Sequence, residues 1–483
     1  MTIRFLKPWN GYQPDAVVSG LTNEAALIAG GLASYDLDGG NDGRTYEAKL
    51  ATDAIGNVTG LVGPDGRRLL NQFFPRANHA AGPGESLYVF NDHTAVTGVS
   101  GPTLSTSTAI TWNGQPTVAV TAPTAGATVG VQKLSLSTPL RNKSLVLPVY
   151  IEDYTKVEKI QVYFGQGATI ATNYVHYNYT ISTTDMHKYN GWHLYEVTEN
   201  QLIVVGSGVA ADGTPVLSLR VDVKASAGNT CTVYLGDARL NIRSRPVVMF
   251  TFDDGRASVI KSAAPIMQKY NIQGTSYVIP PRLGTSTFMS ESDISVLHDL
   301  GWCIANHAYN SSGTSDSYAE IGLAAYVSEV EQCRDWLSSR GYTGAFHHAY
   351  VEGSYDGTLA TALAAAGIVT ARTVAGNTST GAQAMCTNYG LHRRMALMGG
   401  LQLNSSNLIA AVKTEVDRAI RDGRTLIITA HDVLSTAEGG AGATAYLDTD
   451  FEELVSYVAG KRGVGMCDVM TIDAWASALS SDQ

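Results

Sequence analysis

The stretch MFTFDDGRAS, residues 249–258, decides how the C-terminal half of the chain is read. An apolar run ends in two adjacent carboxylates, Asp253 and Asp254, followed by Gly255. Upstream, PVVMFTF (246–252) reads as a buried strand. Downstream, ASVIKSAAPIMQKY places Val259, Ile260, Ala263, Ile266 and Met267 on one helical face. Two charges at the end of a buried strand are costly. Adjacent aspartates in that place ordinarily form a turn or an N-cap; the alternative is chemistry.

The same grammar of strand then helix continues outward. TSYVIP is a strand, and SESDISVLHDLG is a helix with a Ser290/Asp293 capping arrangement and Gly301 as its C-cap. WCIANHA is a strand, followed by a long helix over 318–340 that ends at Gly341. GAFHHAY, IVTART and TLIITAH are further strands, with helices between them and after them. Seven or so β/α units predict an irregular parallel (β/α) barrel over 243–483. Catalytic groups of such barrels sit at the C-terminal ends of the strands. Asp253, Asp254, His307, Tyr350 and His431 all fall there.

The chain before the barrel is built differently. Residues 1–45 form a small N-terminal module with a short helix over Thr22–Ala33. Residues 46–100 are a β-rich connecting region, with Pro64-Asp65-Gly66 as a turn between two strands. Residues 101–242 run in short Thr-, Val-, Ser- and Tyr-rich alternations broken every ten residues or so, the pattern of an antiparallel β-sandwich. Its aromatic stretch NYVHYNYT (173–180), with Trp192, is either a sugar-stacking platform or a set of core and cross-strand pairs.

Composition bounds the function. The chain has 483 residues, 44% hydrophobic and 16% charged, enough to bury several cores. Its net charge of −10 argues against nucleic acid or an anionic membrane as a partner. No run approaches the roughly 18 apolar residues of a membrane span, so membrane insertion is not expected, and the start shows no signal peptide. The five cysteines are scattered and read as buried thiols.

Carboxylates and imidazoles at several strand ends suit a catalytic divalent metal. Asp253 and Asp254 can divide the labour, one on the metal and the other taking a proton from metal-bound water. His307, His347, His348 and His431 supply the imidazoles. His307 alone would read as a core histidine and His431-Asp432 as a loop pair. Arg393 and Arg394 place a guanidinium near the site or merely form surface ion pairs.

With TFDDG (251–255), NHAYN (306–310), AYVEGSYD (349–356) and LIITAHD (426–432) in this order, the region from 246 to about 475 resembles the polysaccharide deacetylase (NodB-homology) family, carbohydrate esterase family 4. The resemblance implies metal-assisted removal of acetyl from a sugar. Asp253 would be the general base, Asp254 and His307 metal ligands, and His431 the general acid. The backbone N–H of Tyr350 would help to hold the oxyanion. The metal would be zinc, with nickel or cobalt as alternatives. Two departures stand out. The family's second metal histidine is Ser311 here, and the arginine three residues before the loop tyrosine is His347. His347 could orient the base in that arginine's place, or His347 or His348 could swing in as the missing ligand. Alternatively, Asp254, His307 and waters hold the metal more weakly, or the site has lost metal and activity.

FLKPWNGYQPDAVVSGLTNEAALIAGGLASY (5–35) resembles short N-terminal modules of bacteriophage structural proteins. The domain order resembles phage tail proteins that modify host surface polysaccharide. That resemblance implies a virion tail protein acting outside the host cell on acetylated capsule, exopolysaccharide or O-chain. It would sit among other tail proteins, as a homotrimer, although no coiled-coil heptads support the trimer. Two other functions are open: a non-catalytic glycan receptor-binding protein with a degenerate barrel, and a bacterial peptidoglycan or chitin-type deacetylase.

Overall fold

The computed structural model describes residues 85–480 except 141–142, 168–169, 171, 182–189, 199–201, 208–214, 241–244, 310–316, 376–395 and 407, together with the backbone of five short strands before residue 63. The helix expected over Thr22–Ala33, the turn at Pro64-Asp65-Gly66, and Ser311, Arg393 and Arg394 lie outside the described residues. The strand Val58–Val62 pairs with the preceding Lys49–Thr52.

Two antiparallel sheets follow. One has six strands in the order Ile203–Val205, Tyr174–Thr180, Val157–Gly165, Pro215–Ala225, Thr128–Pro139 and Thr97–Val99. The other has seven and is centred on Ser144–Ile151, which pairs with Gly191–Thr198 on one side and with Cys231–Leu235 and Asp237–Leu240 on the other. Alternate residues of both sheets, among them Val162, Val221, Leu147 and Val233, form one core. The strand Glu85–Val89 pairs with Asp237–Leu240, and Thr97–Val99 with Thr128–Pro139, so the sheets begin before the expected boundary at residue 101.

The C-terminal region is a closed barrel of seven parallel strands: β1 Val247–Phe252, β2 Thr275–Val278, β3 Cys303–Asn306, β4 Gly344–Ala349, β5 Thr370–Ala375, β6 Ala396–Gln402 and β7 Thr425–Ala430. Strand β1 closes the ring by pairing with β7 along its whole length and with β2 at Thr251 and Phe252. Its first two residues pair instead with the short strand Asp468–Val469. Every residue of β1, β2, β3 and β7 is buried, as expected of parallel strands enclosed on both faces. Met249, Tyr277, Cys303, Ala305, Ala349 and Ile427 fill one cluster with Trp475. Phe250, Phe252, Leu426 and Ile428 pack instead against the surrounding helices.

Helices follow the strands. They are α1 Ala264–Lys269, α2 Glu291–Asp299, α3 Leu323–Ser339, α4 Gly357–Ala365, α5 Ile409–Asp422, α6 Asp448–Gly463 and α7 Ile472–Ser480. The capping box at Ser290 and Asp293 starts α2 as its sequence predicts. The long helix expected over 318–340 is broken in two: Gly322 takes a left-handed φ of 77°, which separates a turn at Tyr318–Ile321 from α3. The first helical segment opens with a π turn over Val259–Ala263. Strand β6 was not among the expected strands; it carries Gly399-Gly400, and glycine weakens a strand interior.

Candidate active site

The chain turns sharply as β1 ends. Asp253 donates its N–H to the Ala430 carbonyl at 2.9 Å, extending the β1–β7 ladder by one residue. Asp254 (φ 68°) and Gly255 (φ 74°) then take successive left-handed conformations, which aspartate and glycine tolerate better than most residues. This turn sends the two carboxylates different ways. Asp253 is buried inside the barrel mouth, on the same side of β1 as Thr251, whose hydroxyl meets that of Thr429 at 2.8 Å. Asp254 faces His307, with Oδ1 3.5 Å from Nε2.

Asp253 is held by Arg372 of β5, whose Nη2 donates to Asp253 Oδ1. Arg372 is fully buried, and its guanidinium lies 5.1 Å from the centre of the Tyr277 ring. Gly400 of β6 makes room for it: a Cβ there would stand 3.1 Å from Arg372 Cδ and 2.7 Å from Thr429 Oγ1. The arginine missing from position 347 is therefore supplied from the next strand. Its signal in the sequence was a lone charge in the buried strand TART.

His347 does not orient the base. It lies in the barrel against Thr370, two residues before Arg372, with Nδ1 3.0 Å from Thr370 Oγ1. Burial pushes it down to about 4, against the opposing charge of Asp473. His348 points the other way, into the cluster behind the barrel wall. Its Nε2 meets the Tyr326 hydroxyl at 3.1 Å and its Nδ1 the Asn306 side-chain oxygen at 3.3 Å. Both ring nitrogens are engaged, so His348 offers no lone pair to a metal. Tyr350 also departs from expectation. Its N–H donates to the Arg372 carbonyl at 2.9 Å, so it is committed to the sheet rather than to an oxyanion. Its ring is buried and stacks on Tyr355 at 4.8 Å.

His307 is set up as a ligand. Its Nδ1–H donates to the Ala349 carbonyl at 2.9 Å, which turns Nε2 towards Asp254. A bare imidazole lone pair facing a carboxylate is repulsive unless a cation, either a proton or a metal ion, lies between them. Burial works against a charge on His307, but the hydrogen bond to Asp254 and the charges of Asp253 and Asp254 raise its pKa. Burial likewise opposes the charge of Asp254, yet His307, His431 and Arg256 together hold it well below the usual carboxylate range. Oxygen and nitrogen donors meeting in this way suit a zinc-like divalent ion. Among the described residues no third His, Cys, Asp or Glu joins them. The set therefore fits a metal held by two protein donors from these residues, with water completing the shell.

His431 follows β7 and adds its field to Asp254. Its Nδ1 lies 3.4 Å from the Gln402 amide nitrogen. The neighbouring Asp432 accepts from Ser258 Oγ at 2.7 Å. Arg256 reaches across the mouth, with Nη2 3.0 Å from Asp254 Oδ2 and its guanidinium 4.7 Å from the centre of the Phe288 ring. The structure thus brings Asp253, Asp254, His307 and His431 together, adds Arg372, and sets His347 and His348 to other tasks.

Residues 241–371 match the polysaccharide deacetylase family model. This part of the barrel is thus similar to polysaccharide deacetylases. The match stops one residue short of Arg372 and does not reach His431. No curated protein matches the chain. Similar solved structures include the Streptococcus pyogenes deacetylase PplD (19% identity, 32% of this chain and 64% of that one, TM-score 0.26). Others are a family 4 carbohydrate esterase from Streptomyces lividans (16%, 47% and 92%, TM-score 0.29) and the peptidoglycan deacetylase PdaC from Bacillus subtilis (12%, 49% and 93%, TM-score 0.31). The chain spans 62% and 64% of the first two structures matched, less than two thirds of their length.

Proposed function

We propose that the chain is a metal-dependent deacetylase of bacterial surface polysaccharide, carried on a phage tail. One observation supports the catalytic part above all: a carboxylate clamped by a buried arginine sits beside an Asp–His pair suited to a metal, with His431 at the same mouth. Asp254 and His307 would hold the ion, zinc or in its place nickel or cobalt. When bound, it would polarise the acetyl carbonyl and bring the pKa of water towards neutrality. Asp253 accepts the proton of the attacking water. Arg372 fixes the orientation of that carboxylate. His431 would act from its imidazolium form, giving one ring proton to the departing sugar nitrogen or oxygen and ending as neutral imidazole. The tail placement is supported by the N-terminal stretch 5–35 and by the domain order.

The test is acetate release from purified capsule, exopolysaccharide and O-chain, with and without chelator, together with mass spectrometry of purified virions. Chelator-sensitive acetate from one of these polymers supports the enzyme, and peptides in the virion support the tail placement. Glycan binding with no acetate under any metal would favour the receptor-binding reading instead.

A further inference from the structure

The outer face of the six-stranded sheet carries an ordered row of flat side chains. Strand pairing sets Ile203 opposite His176, His176 opposite Tyr163, Tyr163 opposite Arg220, and Arg220 opposite Gln132. Five strands thus contribute one residue each to a line that spans roughly 19 Å at the usual strand spacing. All five point away from the core, because the alternate residues Val162, Val175, Leu219 and Val221 are buried in it. The His176 and Tyr163 rings stack at 5.3 Å and 17°. The Arg220 guanidinium lies 5.3 Å from the centre of the Tyr163 ring. Tyr174 meets both rings from the side, at 5.6 and 5.8 Å.

The neighbouring row fixes this arrangement. There Asn178, Gln161, Asp222 and Gly130 lie opposite one another in turn. Arg220 donates from Nε and Nη2 to the two oxygens of Asp222, each at 2.6 Å. The Asp222 carboxylate is only 2% exposed, because it sits in the space left by a missing side chain: a Cβ on Gly130 would be 1.9 Å from Asp222 Oδ1. Gln161 donates to Asn178 at 2.6 Å. A glycine inside a long strand and a sunken carboxylate both cost stability. Together they hold the guanidinium beside the tyrosine ring.

We infer that this face, centred on Tyr163, His176 and Arg220, is a second glycan-binding site, built for an uncharged polysaccharide strand lying across the sheet. The apolar ring edges suit the C–H groups of sugar rings, and the ring nitrogens, hydroxyls, amides and guanidinium of the row suit sugar hydroxyls. Asp222 cancels the charge of Arg220, so the row offers donors and acceptors without the net positive charge that a polyanion needs. The identity of the polymer rests on the deacetylase reading of the barrel; the site itself does not. Trp192 takes no part: it lies on the other sheet, against Trp112 and Tyr150.

The test uses the intact chain carrying Asp253→Asn, so that bound glycan is not altered, on an array of neutral and acidic bacterial polysaccharides. Retention by at least one neutral polymer is expected. It should weaken about tenfold or more in a Tyr163→Ser/His176→Ser double variant and several-fold in Gly130→Ala, which displaces Asp222. The same variants in the unaltered catalytic background should release acetate from a small acetyl ester at the original rate. Retention of no neutral polymer, or undiminished retention by the double variant, overturns the site. Failure to release acetate from any substrate would overturn the barrel reading alone, because the array result decides the sheet face separately.

Discussion

Arg372 carries the tightest constraint in the site. It is fully buried and its charge is answered by Asp253. Replacing it with methionine leaves a buried carboxylate without its cation, at a cost of roughly 3–5 kcal/mol in stability. The same change should lower kcat by about a hundredfold or more with little change in KM, because the arginine touches the base and not the sugar. Steady-state kinetics with a metal assay would check this, and bound metal should be unchanged. His347 makes a separate prediction. Its ordinary pKa is 6.5, and burial lowers the folded value to about 4. Between these values the unfolded chain binds a proton that the folded chain refuses. Stability is therefore fully present above about pH 6.5 and lost as pH falls towards 4, by roughly 3 kcal/mol. Urea midpoints between pH 7 and 4.5 should fall less steeply in His347→Gln than in the parent. Parallel slopes would remove His347 from this account.

At the scale of elements, the barrel strands were largely legible because their apolar runs end in chemistry-bearing residues. TFDDG, NHA and TAH mark the ends of β1, β3 and β7 in both sequence and structure. Strand β6 was hidden by Gly399-Gly400, and Gly400 has its reason in space: its missing Cβ is where the Arg372 stem crosses. A local reading of propensity could not see this, because the partner lies 28 positions away on another strand. The same blindness led to His347, which occupies the usual place in the motif while β5 supplies the arginine. Likewise the alternation of NYVHYNYT was legible, but not that its outward residues align with Arg220 and Ile203. Gly400→Ala should leave the barrel folded and lower kcat about tenfold by shifting Arg372, a milder form of the Arg372→Met defect. A crystal structure of the variant with Arg372 unmoved would contradict that explanation.

For the whole molecule, both cores are built from apolar side chains. The barrel is filled by Met249, Tyr277, Ile427 and Trp475 within, and by Phe250, Phe451 and Leu454 without. The sandwich has its own apolar centre. Among the described residues no helix is long and apolar enough to cross a membrane. Two donors at strand ends add little to such cores, so a chelator should abolish acetate release while shifting the melting temperature by only a few degrees. A collapse of the fold on chelation would make the metal structural. Asp253, clamped by Arg372, is the proposed base of a metal-assisted deacetylation. The most direct measurement is acetate release at saturating zinc by the parent chain and by Asp253→Asn, with bound metal quantified in both. Equal metal content and at least a thousandfold slower release in the variant are expected. Release by Asp253→Asn at close to the parental rate would contradict it.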